Sequence, residues 1–110
     1  MQNVIKLIDF SSDPWGRDAS ENPESNGEMF RKQYLVDAFK TQDSVVVDFS
    51  DLDLIVDSSF IGSAFIGLVK KEGFNYDEIL SKLHILPEDS IYPHMINTMF
   101  SIEKQKDGLK

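Results

Sequence analysis

Apolar residues fall in blocks along the chain, and their spacing predicts alternating strands and helices. Val4, Ile5, Leu7, Ile8 and Phe10 form a short run with β-branched members, which reads as a strand. Residues 11–27 follow as 17 mostly polar positions with two prolines, two glycines and the lone Trp15. A loop of that length in a small domain is expected to bind something or to move. Asp13-Pro14-Trp15-Gly16 has turn chemistry, because proline presets φ and glycine permits the exit. Ser25-Asn26-Gly27-Glu28 matches a capping box. Phe30, Tyr34, Leu35, Ala38 and Phe39 then recur at helical spacing, predicting a helix over 28–41.

A polar break at 41–44 precedes Val45-Val46-Val47, three β-branched residues without alternation. That pattern predicts a strand covered on both faces. Leu54-Ile55-Val56 is a second short apolar segment, and Asp57-Ser58-Ser59 follows it. Residues 60–71 read as a helix that is apolar nearly all round, hence largely buried. Gly62, Ser63 and Gly67 lower its helix propensity and predict close backbone packing. Gly73 stops it. Residues 76–80 predict one or two helical turns, and Leu83-His84-Ile85-Leu86 a third short strand before Pro87. Ile91, Tyr92, Met95, Ile96, Met99, Phe100 and Ile102 form the clearest amphipathic helix, with Pro93 tolerable in its first turn. The expected organisation is one domain over 1–103 and a frayed tail over 104–110.

Composition narrows the function classes. At 110 residues the chain is one domain, able to bury about two-thirds of its unfolded surface. The absence of cysteine removes disulfides, thiol nucleophiles and Cys-type metal sites. A net charge of −8 disfavours nucleic acid and anionic membrane partners. The start, MQNVIKLIDF, lacks the apolar run of a signal peptide, and no stretch is apolar enough to span a bilayer. A cytoplasmic domain is expected. Residues 1–57 hold 12 acids and 5 bases, whereas residues 58–110 hold 7 acids and 6 bases. The acidity therefore gathers before Ser58. It predicts a partner with a basic surface, held by a salt-sensitive association.

The informative segment runs from Val45 through Asp57-Ser58-Ser59: an apolar strand, a second apolar segment, then Asp-Ser-Ser opening a helix. It resembles the core of STAS domains, which are anti-sigma-factor antagonists and cytosolic domains of anion transporters. The flanks resemble one subgroup, the STAS-like domains of unknown function. They share a Gly/Arg loop, here Gly16-Arg17, a helix start ending in Phe30-Arg31, and a helix opened by Ser58-Ser59-Phe60. The resemblance implies an α/β fold, a mixed sheet of four to five strands with helices packed on it, and a non-catalytic protein-binding role. It also implies a GHKL-type ATPase or serine kinase as partner, with Ser58 the phosphorylated residue and Asp57 its neighbour. Phe60 stands where STAS domains carry glycine, and a ring there is expected to obstruct a partner's close approach.

The residues also support plainer readings. Asp57-Ser58-Ser59 reads as an N-cap sequence. Asp48, Asp51, Asp53 and Asp57 invite a Mg²⁺-dependent phosphotransfer reading, but they lack the glycine and third ligand position of a calcium loop. Gly16-Arg17 is not a phosphate loop, although Arg17 and Arg31 offer donors to an anion or nucleotide in a sensor. His84 and His94 have no companion ligands, and Met95 and Met99 belong to an apolar stripe. Trp15 reads either as a partner contact or as an anchor for its loop. The resulting expectation is an interaction module without cofactor or metal. Its face is the 57–60 helix start, Ser59 included, with Trp15, Arg17 and Arg31.

Overall fold

The structure is a computed structural model that describes residues 4–108. Three strands, β1 (Val4–Lys6), β2 (Val45–Asp48) and β3 (Leu83–Leu86), form one parallel sheet in that order. Between β1 and β2 lie α1 (Leu7–Phe10) and α2 (residues 27–41), and between β2 and β3 lie α3 (residues 58–70) and α4 (Tyr76–Lys82). The chain ends in α5 (Tyr92–Gly108). The α/β class with helices on a central sheet is as expected, but the three described strands are all parallel where the resemblance implies a mixed sheet of four or five, because a helical crossover separates each pair.

The apolar run at 4–10 splits rather than continuing as a strand. Lys6 is the last residue of β1 with a partner, because it pairs with Asp48, where β2 ends. Beyond that point a strand would leave its backbone unpaired, so the chain curls into α1. Leu7 and Phe10, three apart, then share a helical face, with Leu7 in the core and Phe10 packed against it. In β2, Val45 and Val47 are fully buried in the helix-covered core. Val46 is buried too, yet its register neighbours Val4 and His84 are exposed, so the second face is only partly covered.

Both crossover helices contain a widened turn, Arg31–Leu35 in α2 and Gly62–Ile66 in α3. Residues five apart are thereby buried together: Phe30 with Leu35, and Phe60 with Phe65. Gly27 lies where a side chain would strike the backbone carbonyl of Phe60, so a glycine is required for this approach of α2 to α3.

Residues 104–108, expected to fray, continue α5. The Lys104 ammonium reaches Asp77 at 2.6 Å. Lys70 Nζ and the Tyr76 hydroxyl both donate to Asp107, at 2.7 and 2.6 Å. The bond to Asp107 raises the Lys70 pKa, and burial followed by the Asp107 bond raises that of Tyr76. Both groups hold their protons more tightly when folded. Their stabilisation is complete below the ordinary lysine and tyrosine values and is lost as pH rises through the folded ones. The melting temperature is expected to fall above about pH 10, and more shallowly in Asp107→Asn. Parallel melting curves for the two proteins would show that this contact contributes nothing. No helix among the described residues is long and apolar enough to cross a membrane.

Candidate functional site

The 11–26 loop is ordered by its own polar side chains. Asn22 Nδ2 donates to the carbonyls of Trp15 and Ser25, at 3.0 and 3.2 Å. Ser25 Oγ donates to the Asp13 carbonyl at 2.9 Å, and Asn26 Nδ2 to the Asn22 carbonyl at 2.8 Å. The N-cap of α2 is Asn26, whose Oδ1 accepts from the Met29 amide, and not Ser25 as the capping-box pattern predicts. Ser25 is instead committed to the loop. Its neighbour Gly16, at φ +84°, takes the left-handed conformation that glycine permits.

Asp57 precedes α3, but its side chain does not cap that helix. Its Oδ1 accepts from the Gly16 amide at 3.1 Å. The Arg17 carbonyl accepts from the Glu28 amide at 3.1 Å. These two bonds fix Gly16-Arg17 beside the amino ends of both α2 and α3. Tyr92 steadies the approach to Asp57 from the other side. Its hydroxyl accepts from the Val56 amide at 3.0 Å, while its ring stacks on Phe49 at 4.2 Å.

The result is a trough of about 510 Å³ along the outer face of α3. Its floor carries small residues: Ser58, Ser59, Gly62, Ser63 and Gly67. One wall holds Arg17, Asp18, Glu28 and Arg31, and the carboxyl end of α3 contributes Lys70 and Lys71. Met99 of α5 forms the opposite wall. A second hollow of about 310 Å³ extends this wall through Ile102 and Glu103, sharing Gly62, Ile66 and Met99 with the first.

Ser58 is exposed, and neither its hydroxyl nor that of Ser59 makes a hydrogen bond among the described residues. Arg31 is 3% exposed. Its Nε bonds Glu72 at 2.9 Å and its Nη1 donates to the Ser63 carbonyl at 2.5 Å, inside the widened turn of α3. Gly67 leaves the space this guanidinium fills. Arg31 is thus a strut between α2 and α3, its donors largely used. Arg17 is exposed, and among the described residues its guanidinium has no hydrogen bond or ion pair. Hydrogen bonds from the Ser20 hydroxyl and amide, at 2.5 and 3.0 Å, hold the Asp18 carboxyl below the usual carboxylate range.

The fold therefore brings Arg17, Arg31, Ser58 and Ser59 to one trough, with Asp57 behind them. Trp15 does not line it and stands 44% exposed, so its ring is not an anchor in the core. Phe60 is fully buried between Phe10 and Phe30, at ring distances of 6.3 and 5.8 Å. The expected obstruction is thus absent: the ring turns inward and the outer face stays lined by serine and glycine. Of the acids in the first half of the chain, only Asp18 and Glu28 line the trough, against four cations. The acidity expected at this face lies mainly outside it.

Lys70, Lys71, Gly62, Ser63 and Met99 were not legible as site residues. The signal available was the spacing of Ser59, Ser63 and Gly67 along one helical face, which reads equally as close packing. Among the described residues no group of three or more acids or histidines is placed to hold a metal. Asp48 Oδ1 is occupied by the Ser50 amide at 2.9 Å, and Asp51 and Asp53 face solvent.

A short parallel sheet, two crossover helices and an open trough at a serine-bearing helix start define a small α/β domain with a surface site. The profile of the STAS-like domain of unknown function matches residues 26–91, and the chain belongs to that family. No curated protein and no solved structure gives a significant match.

Proposed function

We propose that the chain is a non-catalytic protein-interaction module whose docking face is the outer side of α3, with Ser58 as a phosphorylation switch. The observation that carries this reading is the placement of Ser58. Its hydroxyl is exposed and unbonded on the lip of the trough, at the first residue of α3. A phosphate there adds about −1.5 to −2 charges beside Asp57, where free helix N–H groups tolerate an anion. The domain need not refold, yet the excess positive charge of the docking face is cancelled. The family resemblance supports a partner of the ATPase or serine-kinase class, which would both bind the domain and modify it.

Ser58→Asp is expected to weaken the partner complex about tenfold, a cost of roughly 1.4 kcal/mol. The melting temperature should stay near wild type because the residue is exposed. Calorimetric titration of the two proteins against the isolated partner provides the measurement. An unchanged affinity would sink the switch.

A further inference from the structure

We propose that the trough along α3 is a docking groove for an acidic amphipathic helix of a partner protein. This inference rests on the interaction-module reading and names the chemistry of its partner.

The groove follows the outer face of α3, whose 13 residues span about 20 Å, the length of three to four turns of a second helix. Its floor of serines and glycines, with Ile66 as its one bulky member, lets another backbone approach closely over most of its length. Its far wall is apolar: Met99 is partly buried against the core, whereas Ile102 is 47% exposed with no neighbour to cover it. Such a wall suits the apolar stripe of an amphipathic helix.

Charge selects the sign of the occupant. Two acids on the rim have cationic partners, Glu28 with Arg31 and Lys32 and Glu103 with Lys70 and Lys106, whereas Asp18 bonds the neutral Ser20 hydroxyl and amide and keeps its charge, attracted to the adjacent Arg17. The lining as a whole is positive, with Arg17, Arg31, Lys70 and Lys71 against the two acids Asp18 and Glu28. Arg17 stands at the amino end of α3 and Lys71 just past its carboxyl end, neither with a side-chain ion pair among the described residues. In a chain of net charge −8, this local excess of cations, with Arg17 and Lys71 at opposite ends of one groove, favours an acidic ligand. The same geometry accounts for the switch, because a phosphate on Ser58 would place like charge under an acidic helix.

The test is an NMR titration of the 15N-labelled full chain with three helix-forming peptides of about 14 residues. One carries leucines at i, i+3, i+4 and i+7 among glutamates, the second has lysines for the glutamates, and the third has serines for the leucines. The glutamate–leucine peptide alone is expected to bind, moving the amide signals of residues 58–67 and 99–102. Arg17→Glu combined with Lys71→Glu is expected to weaken it about tenfold. Gly62→Leu should abolish binding while the melting temperature holds or rises. Its Cβ would come within 3.3 Å of the Met99 methyl, the far end of a flexible side chain that must give by a few tenths of an ångström, and helix propensity improves. Equal or tighter binding of either control peptide, shifts confined to another surface, or no shifts at all would overturn the groove. If the peptides fail while Ser58→Asp still breaks the partner complex, the groove alone is wrong. If the acidic peptide binds while Ser58→Asp leaves that complex intact, the switch alone is wrong.

Discussion

Phe60→Ala is expected to lower the unfolding free energy by about 3–5 kcal/mol. The ring is fully buried and lies between Phe10 and Phe30, so truncation loses its transfer energy and leaves a cavity that the neighbouring rings cannot close. Each aromatic pair adds roughly 0.5–1.5 kcal/mol beyond burial. A domain of this size holds about 5–15 kcal/mol in total, so this single change removes a large fraction. Phe60→Gly, which restores the residue found in STAS domains, should cost about 1 kcal/mol more through helix propensity. The contrast with Ser58→Asp is the informative part: two residues apart, one change acts on stability and the other on binding. Urea unfolding of both variants makes the comparison. A loss below about 1 kcal/mol in Phe60→Ala would place the ring outside the core.

Arg31→Ala is expected to cost about 2–4 kcal/mol, somewhat less than a fully enclosed ion pair, because Glu72 is 22% exposed and can rehydrate. Apart from the looser pair with the exposed Glu28, which Lys32 also serves, the loss has two parts. Glu72 loses its cation, and the Ser63 carbonyl inside the widened turn loses its donor. Arg31→Lys should recover only part of the loss, since one ammonium cannot reproduce a planar fork that serves two acceptors. Glu72→Gln isolates the charge and is expected to be milder. Denaturant midpoints for the three variants, with amide exchange across 62–66, separate the two parts. If Arg31→Ala and Glu72→Gln have the same midpoint, the bond to Ser63 contributes nothing. The same variant bears on function, because Arg31 holds α2 against α3 along the trough wall.

Particular elements show what local pattern can and cannot report. The helix predicted over 28–41 is observed over 27–41, and the third strand lies at Leu83–Leu86 as its apolar run predicts. Pro93 sits in the first turn of α5, where its missing N–H costs nothing. These features depend on periodicity, capping and turn chemistry within a few residues. The run at 4–10 broke in two because the length of β1 is set by where β2 ends, more than forty residues later. The choice of Asn26 over Ser25 as cap was likewise decided by a distant demand, since Ser25 is needed at the Asp13 carbonyl.

The site divides in the same way. Asp57-Ser58-Ser59, Gly16-Arg17 and Arg31 stood out in the sequence, and the fold brings them to one face. Their roles did not follow from their identities. Arg31 is consumed as a strut, Asp57 tethers a loop rather than capping its helix, and Phe60 points inward. Lys71 and Met99 join the trough from segments that carry no motif.

By itself the sequence determined the α/β class, the order of its elements and the serine at the start of a buried helix, because each is encoded in residue spacing over one or two turns. Only the tertiary structure decided which side chains meet along the outer face of α3 and which charges there stay unpaired. Those depend on widened helical turns and on residues up to about eighty positions apart being brought to one trough, as Arg17 and Met99 are. No local pattern records such meetings, because the packing of the helices against one another sets them.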